Sequence, residues 1–119
     1  NEVVDHAGYY LIRSDEAFDI VDEVDSPRVK VVFDIYHQQI SEGHLLSRIE
    51  QNIEKIAHFH AAGNPGRNEL TRGEINYPQI FEAIRQTDYD GFVGLEYWPV
   101  SDPTAGLGEV ISWFRDSRL

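Results

Sequence analysis

The sequence contains no cysteine, no methionine and only two lysines, Lys30 and Lys55. The absence of cysteine excludes disulfide bonds and thiolate metal ligands, and it is typical of a cytoplasmic protein. Because translation starts with methionine, we expect this 119-residue chain, which begins with Asn1, to be part of a longer protein. No run of eighteen apolar residues and no secretory signal is present, so neither a membrane span nor a membrane partner is expected.

Basic residues are also scarce, since ten lysines and arginines stand against 21 acidic residues, for a net charge of −11. Nucleic-acid binding requires basic patches, and this composition therefore argues against a nucleic-acid partner. The acidic residues are dispersed along the chain, as is typical of a solvated surface. An apolar fraction of 41% and two tryptophans favour a folded chain, which we interpret as one partial domain over residues 1–119.

Hydrophobic spacing predicts three short strands that alternate with four helices. The strands are expected at residues 29–33, 57–61 and 92–96. Two helices are expected to begin after N-caps at Ser14 and Asn76. Another is expected after Gly43, with apolar residues Leu46, Ile49, Ile53 and Ile56. The last is expected over residues 107–115, with Val110, Ile111 and Phe114 buried. This alternation predicts an α/β fold with a parallel sheet, and we interpret the chain as the C-terminal half of a (β/α)8 TIM barrel.

The three predicted strands each end near a residue that can bind a metal ion. Asp34, His60 and Glu96 occupy these positions. Because the carboxyl ends of parallel strands meet at one edge of a sheet, we expect the three side chains to converge. Two carboxylates and one imidazole suit a divalent cation such as Mn²⁺, Mg²⁺, Co²⁺ or Zn²⁺.

Each of these residues also has a purely structural interpretation. Asp34 could cap the turn that follows its strand, and Glu96 could be a solvent-facing acid. A lone strand histidine is more often packed than bound to metal, and His58, which shares a strand face with His60, is interpreted in that way. The coincidence of three such residues at equivalent positions favours the functional interpretation.

Further candidates follow these strand ends. His37 could contact a substrate oxygen or orient Asp34, and Arg67 could bind a substrate carboxylate or remain an exposed loop residue. Glu69 and Glu74 are weaker candidates, and His6 and His44 are interpreted as surface residues. Five aromatic residues could line a pocket or serve in packing: Tyr9, Tyr10, Tyr36, Tyr97 and Trp98.

Four segments of the sequence resemble hydroxypyruvate isomerases and their relatives in the xylose-isomerase-like TIM-barrel superfamily. They are "FDIYHQQ", "HFHAAGNPGRNEL", "GEINYPQIF" and "YDGFVGLEYWP", and the similarity extends to "DHAGYYL" near the start. The resemblance implies that Asp34, His60 and Glu96 are metal ligands and that Glu96 is also a catalytic base. It further implies substrate contacts for His37 and Arg67, although the His60-to-Arg67 spacing is one residue longer than in the epimerases.

The resemblance also implies a fourth ligand, a glutamate that would precede Asn1 and act with Glu96 as a pair of bases. The expected activity is metal-dependent interconversion of hydroxypyruvate and tartronate semialdehyde, or of a related short oxo-acid, through an enediolate. We expect the chain by itself to be inactive. The alternatives are a ketose 3-epimerase acting on a sugar, an enzyme of the endonuclease IV type, which the charge disfavours, and a non-catalytic half-barrel. We also expect the exposed sheet edges to be covered by self-association or by the remainder of the barrel.

Overall fold

The computed structural model describes residues 1–115, with side chains up to residue 113. The helices are α1 (Ser14–Val24), α2 (Ile35–Ser41), α3 (Leu45–Asn52), α4 (Tyr77–Arg85) and α5 (Pro103–Arg115), with a 3₁₀ turn at Ile53–Lys55. The strands are β1 (Val31–Asp34), β2 (Ile56–Ala61) and β3 (Phe92–Leu95). They form one parallel sheet in the order β1-β2-β3. The predicted α/β fold and parallel sheet are thereby confirmed.

One face of the sheet is covered by helices and contains the core. Phe33 of β1 lies beside Phe59 of β2, and both are buried, with their rings 6.0 Å apart. Phe18 of α1 stacks on Phe33 with a ring separation of 6.3 Å. Tyr77, the first residue of α4, donates its hydroxyl to Ala62 O and accepts from Ala62 N, at 2.7 and 2.9 Å. These contacts hold α1 against β1 and the start of α4 against the end of β2.

The opposite face of the sheet is open in the described part of the chain. Val32 and Phe92 flank His58 in register on this face, and they are 58% and 80% exposed. On the covered face, Phe33 and Phe59 are 2% and 0% exposed, and Val31 and Val93 are partly buried. Apolar side chains on both faces are typical of parallel strands that are buried on both sides.

The prediction of four helices was wrong, because the described residues contain a fifth helix, α2. It begins directly after β1 with no intervening loop. Four consecutive residues of α2, from Ile35 to Gln38, are buried. A seven-residue helix that is buried on several sides shows no apolar stripe, and its spacing therefore gives no helical signal.

Other boundaries moved for identifiable reasons. Ser14 is the first residue of α1 and not its N-cap, because its N–H and hydroxyl donate to Glu42. Ile56 belongs to β2 and not to the preceding helix. Ile111 is 45% exposed, whereas Val110 is buried as predicted. The side chain of Phe114 lies outside the described residues. The Asn76 cap is confirmed, since its side chain accepts from Gln79 N.

Candidate active site

The ends of the three strands bring three potential metal ligands together on the open face of the sheet. Asp34 pairs with His60 in register, and Gly94 follows on β3. Glu96 lies two residues beyond Gly94, and its N–H donates to Ala61 O at 3.0 Å, which extends the strand pairing past β3. Because side chains alternate along a strand, Glu96 returns to the face that carries Asp34 and His60.

The three side chains lie within mutual reach. His60 Nδ1 is 3.8 Å from Asp34 Oδ2 and 3.6 Å from Glu96 Oε2. One ligand atom from each residue falls within 4.8 Å of the other two. Exposure increases from Asp34 (15%) through His60 (33%) to Glu96 (55%), so the cluster opens toward solvent on the Glu96 side. Two carboxylates and one imidazole with an open side fit a divalent cation that retains positions for substrate.

Asp34 combines the two interpretations that the sequence left open. Its Oδ1 accepts from His37 N at 3.1 Å and caps α2, while its Oδ2 faces His60. A cap oxygen that is already occupied leaves the second oxygen available for a ligand. The capping role and the site role therefore use different atoms of one carboxylate.

Gly94 provides the space that the two histidines of β2 require. A Cβ atom at Gly94 would lie 2.9 Å from His58 Nε2 and 3.2 Å from His60 Cδ2. The His58 and His60 rings are 5.0 Å apart in an edge-to-face arrangement. His58 thus packs beneath His60, as its structural interpretation predicted, and the missing side chain at residue 94 permits this arrangement.

Arg67 reaches the site from the loop after β2. Its Nη2 donates to Glu96 Oε2 at 2.5 Å, and its guanidinium lies 5.3 Å from the centre of the Tyr36 ring. The backbone of Arg67 is left-handed, with φ of 54°. Burial and a hydrogen bond to Asp5 raise the pKa of Tyr36 to about 12, so this phenol remains neutral and donates to Asp5 Oδ2 at 2.9 Å.

Two loops are joined beside Arg67. Trp98 N donates to Arg67 O at 2.8 Å, and Asn68 Nδ2 donates to Trp98 O at 2.9 Å. Glu69 Oε1 then accepts from Val100 N, Ser101 N and the Ser101 hydroxyl at 2.8 to 3.0 Å. The loops that carry Arg67 and Glu96 therefore hold each other in place.

His37 is buried between two acidic residues. Its Nε2 is 3.6 Å from Asp34 Oδ2, and its Nδ1 is 3.2 Å from Glu2 Oε1. Burial lowers the pKa of His37, and the nearby Asp34 carboxylate opposes that effect without reversing it. The neutral imidazole is therefore favoured.

A cavity of about 410 Å³ opens at these strand ends. Its lining includes Asp34, His37, His60, Arg67 and Glu96, together with residues 11–14. None of the five aromatic candidates lines it, although Tyr36 and Trp98 border a separate cleft on the far side of Arg67. All five site residues selected from the sequence thus meet at one cavity.

Sequence reasoning missed Glu2, which is fully buried, and misjudged His6, which is half-buried beside His37 rather than a surface residue. His44 is exposed, as predicted. Glu69 and Glu74 do not line the cavity; Glu69 joins the two loops, and Glu74 accepts from Asn64 Nδ2 at 2.6 Å. The segment before α1 has no regular spacing, and nothing in its pattern indicated that Glu2 folds inward.

Comparisons with known proteins identify relatives of this chain. A family model described as xylose isomerase-like TIM barrel matches residues 2–117. The chain is 43% identical over 104 residues to the 2-oxo-tetronate isomerase of Cupriavidus necator, covering 87% of this chain and 40% of that protein. It is 41% identical over 103 residues to the hydroxypyruvate isomerase of Escherichia coli, covering 87% of this chain and 40% of that protein.

A solved structure is also similar to this chain over nearly its whole length. The AP endonuclease, family 2, from Brucella melitensis superposes with a TM-score of 0.87 at 35% identity, covering 99% of this chain and 44% of that one. The chain thus spans about 40% of the length of the curated relatives it matches. The three parallel strands correspond to part of a TIM barrel, which confirms the predicted architecture. The chain belongs to the xylose isomerase-like TIM barrel family.

Proposed function

We propose that this chain forms the C-terminal part of an isomerase that moves a proton between neighbouring carbons of a short 2-oxo acid. The preferred substrate pair is hydroxypyruvate and tartronate semialdehyde, or a related oxo-acid. The observation that carries the proposal is the convergence of Asp34, His60 and Glu96 within 4.8 Å, with Arg67 bound to Glu96 at the same cavity. Relatives named hydroxypyruvate isomerase and 2-oxo-tetronate isomerase support it.

Asp34, His60 and Glu96 would hold a divalent cation, of which Mn²⁺, Mg²⁺, Co²⁺ and Zn²⁺ are the candidates. When bound, the cation stabilises negative charge on the substrate oxygens. Glu96 is the most exposed of the three residues, and its carboxylate is the base that removes the proton from the carbon beside the carbonyl. The substrate would become an enediolate, the hydroxyl proton would pass to the former carbonyl oxygen, and return of the carbon-bound proton to the neighbouring carbon would complete the isomerisation.

Arg67 and His37 would orient the substrate. The guanidinium of Arg67 is held near the cavity by its contacts with Glu96 and Tyr36, and its planar donors suit a substrate carboxylate. A substrate carboxylate that takes over this contact would free Glu96 for proton transfer. His37 is buried at the base of the cavity, where its Nε2 can contact a substrate oxygen.

The chain by itself is proposed to be inactive. It spans about 40% of the curated isomerases it matches, and the resemblance of its motifs to that family implies a second catalytic glutamate outside these 119 residues. The complete polypeptide would supply that carboxylate and the remaining strands of the barrel.

The proposal is tested by assaying the complete polypeptide and the 119-residue chain with hydroxypyruvate and with a neutral ketose. We expect turnover of hydroxypyruvate by the complete polypeptide only, and a loss of about 10²- to 10⁴-fold for Glu96→Gln, because that change removes a general base. Arg67→Ala should raise KM for the oxo-acid at least about tenfold, since a charge-assisted pair is lost. Arg28→Ala, which alters an exposed arginine outside the site, is the matched control.

The same assay separates the alternatives. If Arg67→Ala leaves the oxo-acid kinetics unchanged while a ketose is epimerised efficiently, the ketose 3-epimerase assignment replaces the oxo-acid isomerase. If neither substrate is turned over by the complete polypeptide, the non-catalytic half-barrel becomes the better description.

A further inference from the structure

A second group of potential ligands lies beside the Asp34–His60–Glu96 cluster. Glu2, His6 and His37 each place one ligand atom within 4.8 Å of the other two. Glu2 Oε1 is 3.2 Å from His37 Nδ1 and 3.9 Å from His6 Nδ1. The group joins the segment before α1 to His37 of α2. Its ligand atoms differ from the atoms that face His60.

This group places ionisable side chains in the interior, where such side chains are rarely found. Glu2 is fully buried, His37 is nearly so, and the His6 and His37 rings are 4.5 Å apart. Among the described residues, His6 Nδ1 is a buried ring nitrogen that has no hydrogen-bond partner. A buried unpartnered nitrogen facing a buried carboxylate costs free energy unless another group satisfies it.

The two nitrogens of His37 give a second, independent indication. Nδ1 faces Glu2 and Nε2 faces Asp34, so each nitrogen meets a carboxylate oxygen. An imidazole that binds a cation through one nitrogen carries its N–H on the other nitrogen, where a carboxylate commonly accepts it. A cation on the Glu2 side would accept the Nδ1 lone pair and leave the N–H on Nε2, directed at Asp34.

We propose that Glu2, His6 and His37 form a second divalent cation site for Zn²⁺ or Co²⁺. Two imidazoles and one carboxylate are a donor set that suits these ions, and bonds of about 2.0 to 2.1 Å in a tetrahedral site separate ligand atoms by about 3.3 Å. The observed separations of 3.2 and 3.9 Å reach that value with small side-chain shifts. Glu2 is fixed for this role, since its carboxylate also accepts from Val4 N and from Asp5 N.

The site shares His37 with the proposed isomerase site, whereas Glu2 and His6 have no part in that reaction and can be altered to test the second site alone. The experiment is a titration of the metal-free protein with Co²⁺, followed by calorimetry and visible absorption. We expect two Co²⁺ ions per chain, with an absorption band typical of tetrahedral nitrogen and oxygen ligation from the Glu2 site.

Variants assign each ion to its site. Glu2→Gln and His6→Ala should each leave one ion per chain, Asp34→Asn should remove only the other ion, and His44→Ala, at an exposed histidine, should leave both. His6→Gln repeats the test with a side chain of similar size, and its result must agree with that of His6→Ala. A Co²⁺ count or affinity that the Glu2 and His6 variants leave unchanged would overturn the proposal, whereas a count that Asp34→Asn alone leaves unchanged would count against the isomerase site instead.

Discussion

At the scale of single residues, Glu69 has the clearest physical role outside the site. It is buried, and it holds the loop after β3 through Val100 and Ser101. A hydrogen bond from its own backbone N–H, together with those from Ser101 and Val100, lowers the pKa of Glu69 from about 4.5 to about 2, although burial opposes the shift. The ionised carboxylate is therefore the form that stabilises the folded chain.

Because the pKa of Glu69 is lower in the folded than in the unfolded chain, its stabilisation is complete above about pH 4.5 and is lost as the pH falls toward 2. We predict that Glu69→Gln unfolds at lower urea concentration than the unaltered chain at pH 7. The difference in midpoint should shrink as the pH falls from 5 to 2. Glu50→Gln, at an exposed position of α3, is the control and should change the midpoint little at any pH. An equal difference at pH 7 and pH 2.5 would contradict the assigned role.

The sequence predicted which side chains converge where secondary structure determines their positions. Asp34, His60 and Glu96 could be selected because parallel strands end at one edge and side chains alternate. Glu2 and His6 could not be selected, since their burial results from the path of an irregular segment. That path depends on tertiary contacts, which local sequence patterns do not encode.

At the scale of helices and strands, the start of α1 is capped by the carboxylate of a residue 28 positions away in the sequence, Glu42. The start of α1 is bound by Glu42, which accepts from Ser14 N at 3.2 Å and from Ser14 Oγ at 2.8 Å. Glu42 also accepts from Gln38 Nε2 at 2.9 Å, so the end of α2 is joined to the start of α1. An acid near a helix N-terminus also interacts favourably with the helix dipole.

We predict that Glu42→Ala lowers the free energy of unfolding by about 1 to 2 kcal/mol, because a helix cap and a buried hydrogen-bond acceptor are lost together. Urea denaturation followed by circular dichroism measures the change. Glu54→Ala, at an exposed glutamate of the 3₁₀ turn, is the matched control and should fall within about 0.5 kcal/mol of the unaltered chain. A loss for Glu42→Ala no larger than that of the control would remove the cap from the account of α1.

The elements themselves were predictable to different degrees. Short apolar runs located β1, β2 and β3 within two residues, since buried parallel strands are nearly continuous in hydrophobicity. Helix α2 was not predictable in the same way, because its buried residues are consecutive. The start of α1 was misplaced at its cap because Glu42 is 28 residues away in the sequence from Ser14.

At the scale of the whole molecule, the dominant feature is the open face of the sheet. Val32 and Phe92 are exposed there, and no helix covers them in the part of the chain that the structure describes. Exposed apolar side chains on a parallel sheet are a surface that another chain segment can cover. The remainder of the barrel would do so in the complete polypeptide.

We predict that the 119-residue chain self-associates at micromolar concentration, since this surface is otherwise exposed to water. Light scattering coupled to size-exclusion chromatography measures the molar mass. Phe92→Asp and Val32→Asp should each shift the chain toward the monomer, whereas Val24→Asp, at an exposed position of α1, should not. A stable, compact monomer of the unaltered chain would contradict this prediction.

The two oxygens of the Asp34 carboxylate make different contacts, and this restricts which residues can replace Asp34 during evolution. One oxygen starts α2 and the other faces the ligand cluster. Alanine at residue 34 would disturb both the helix and the cluster, so a loss of function there would not reveal which had failed. Asparagine can still start the helix while lacking the negative charge, and a lineage that keeps this fold without the proposed ion site is therefore expected to pass through that residue.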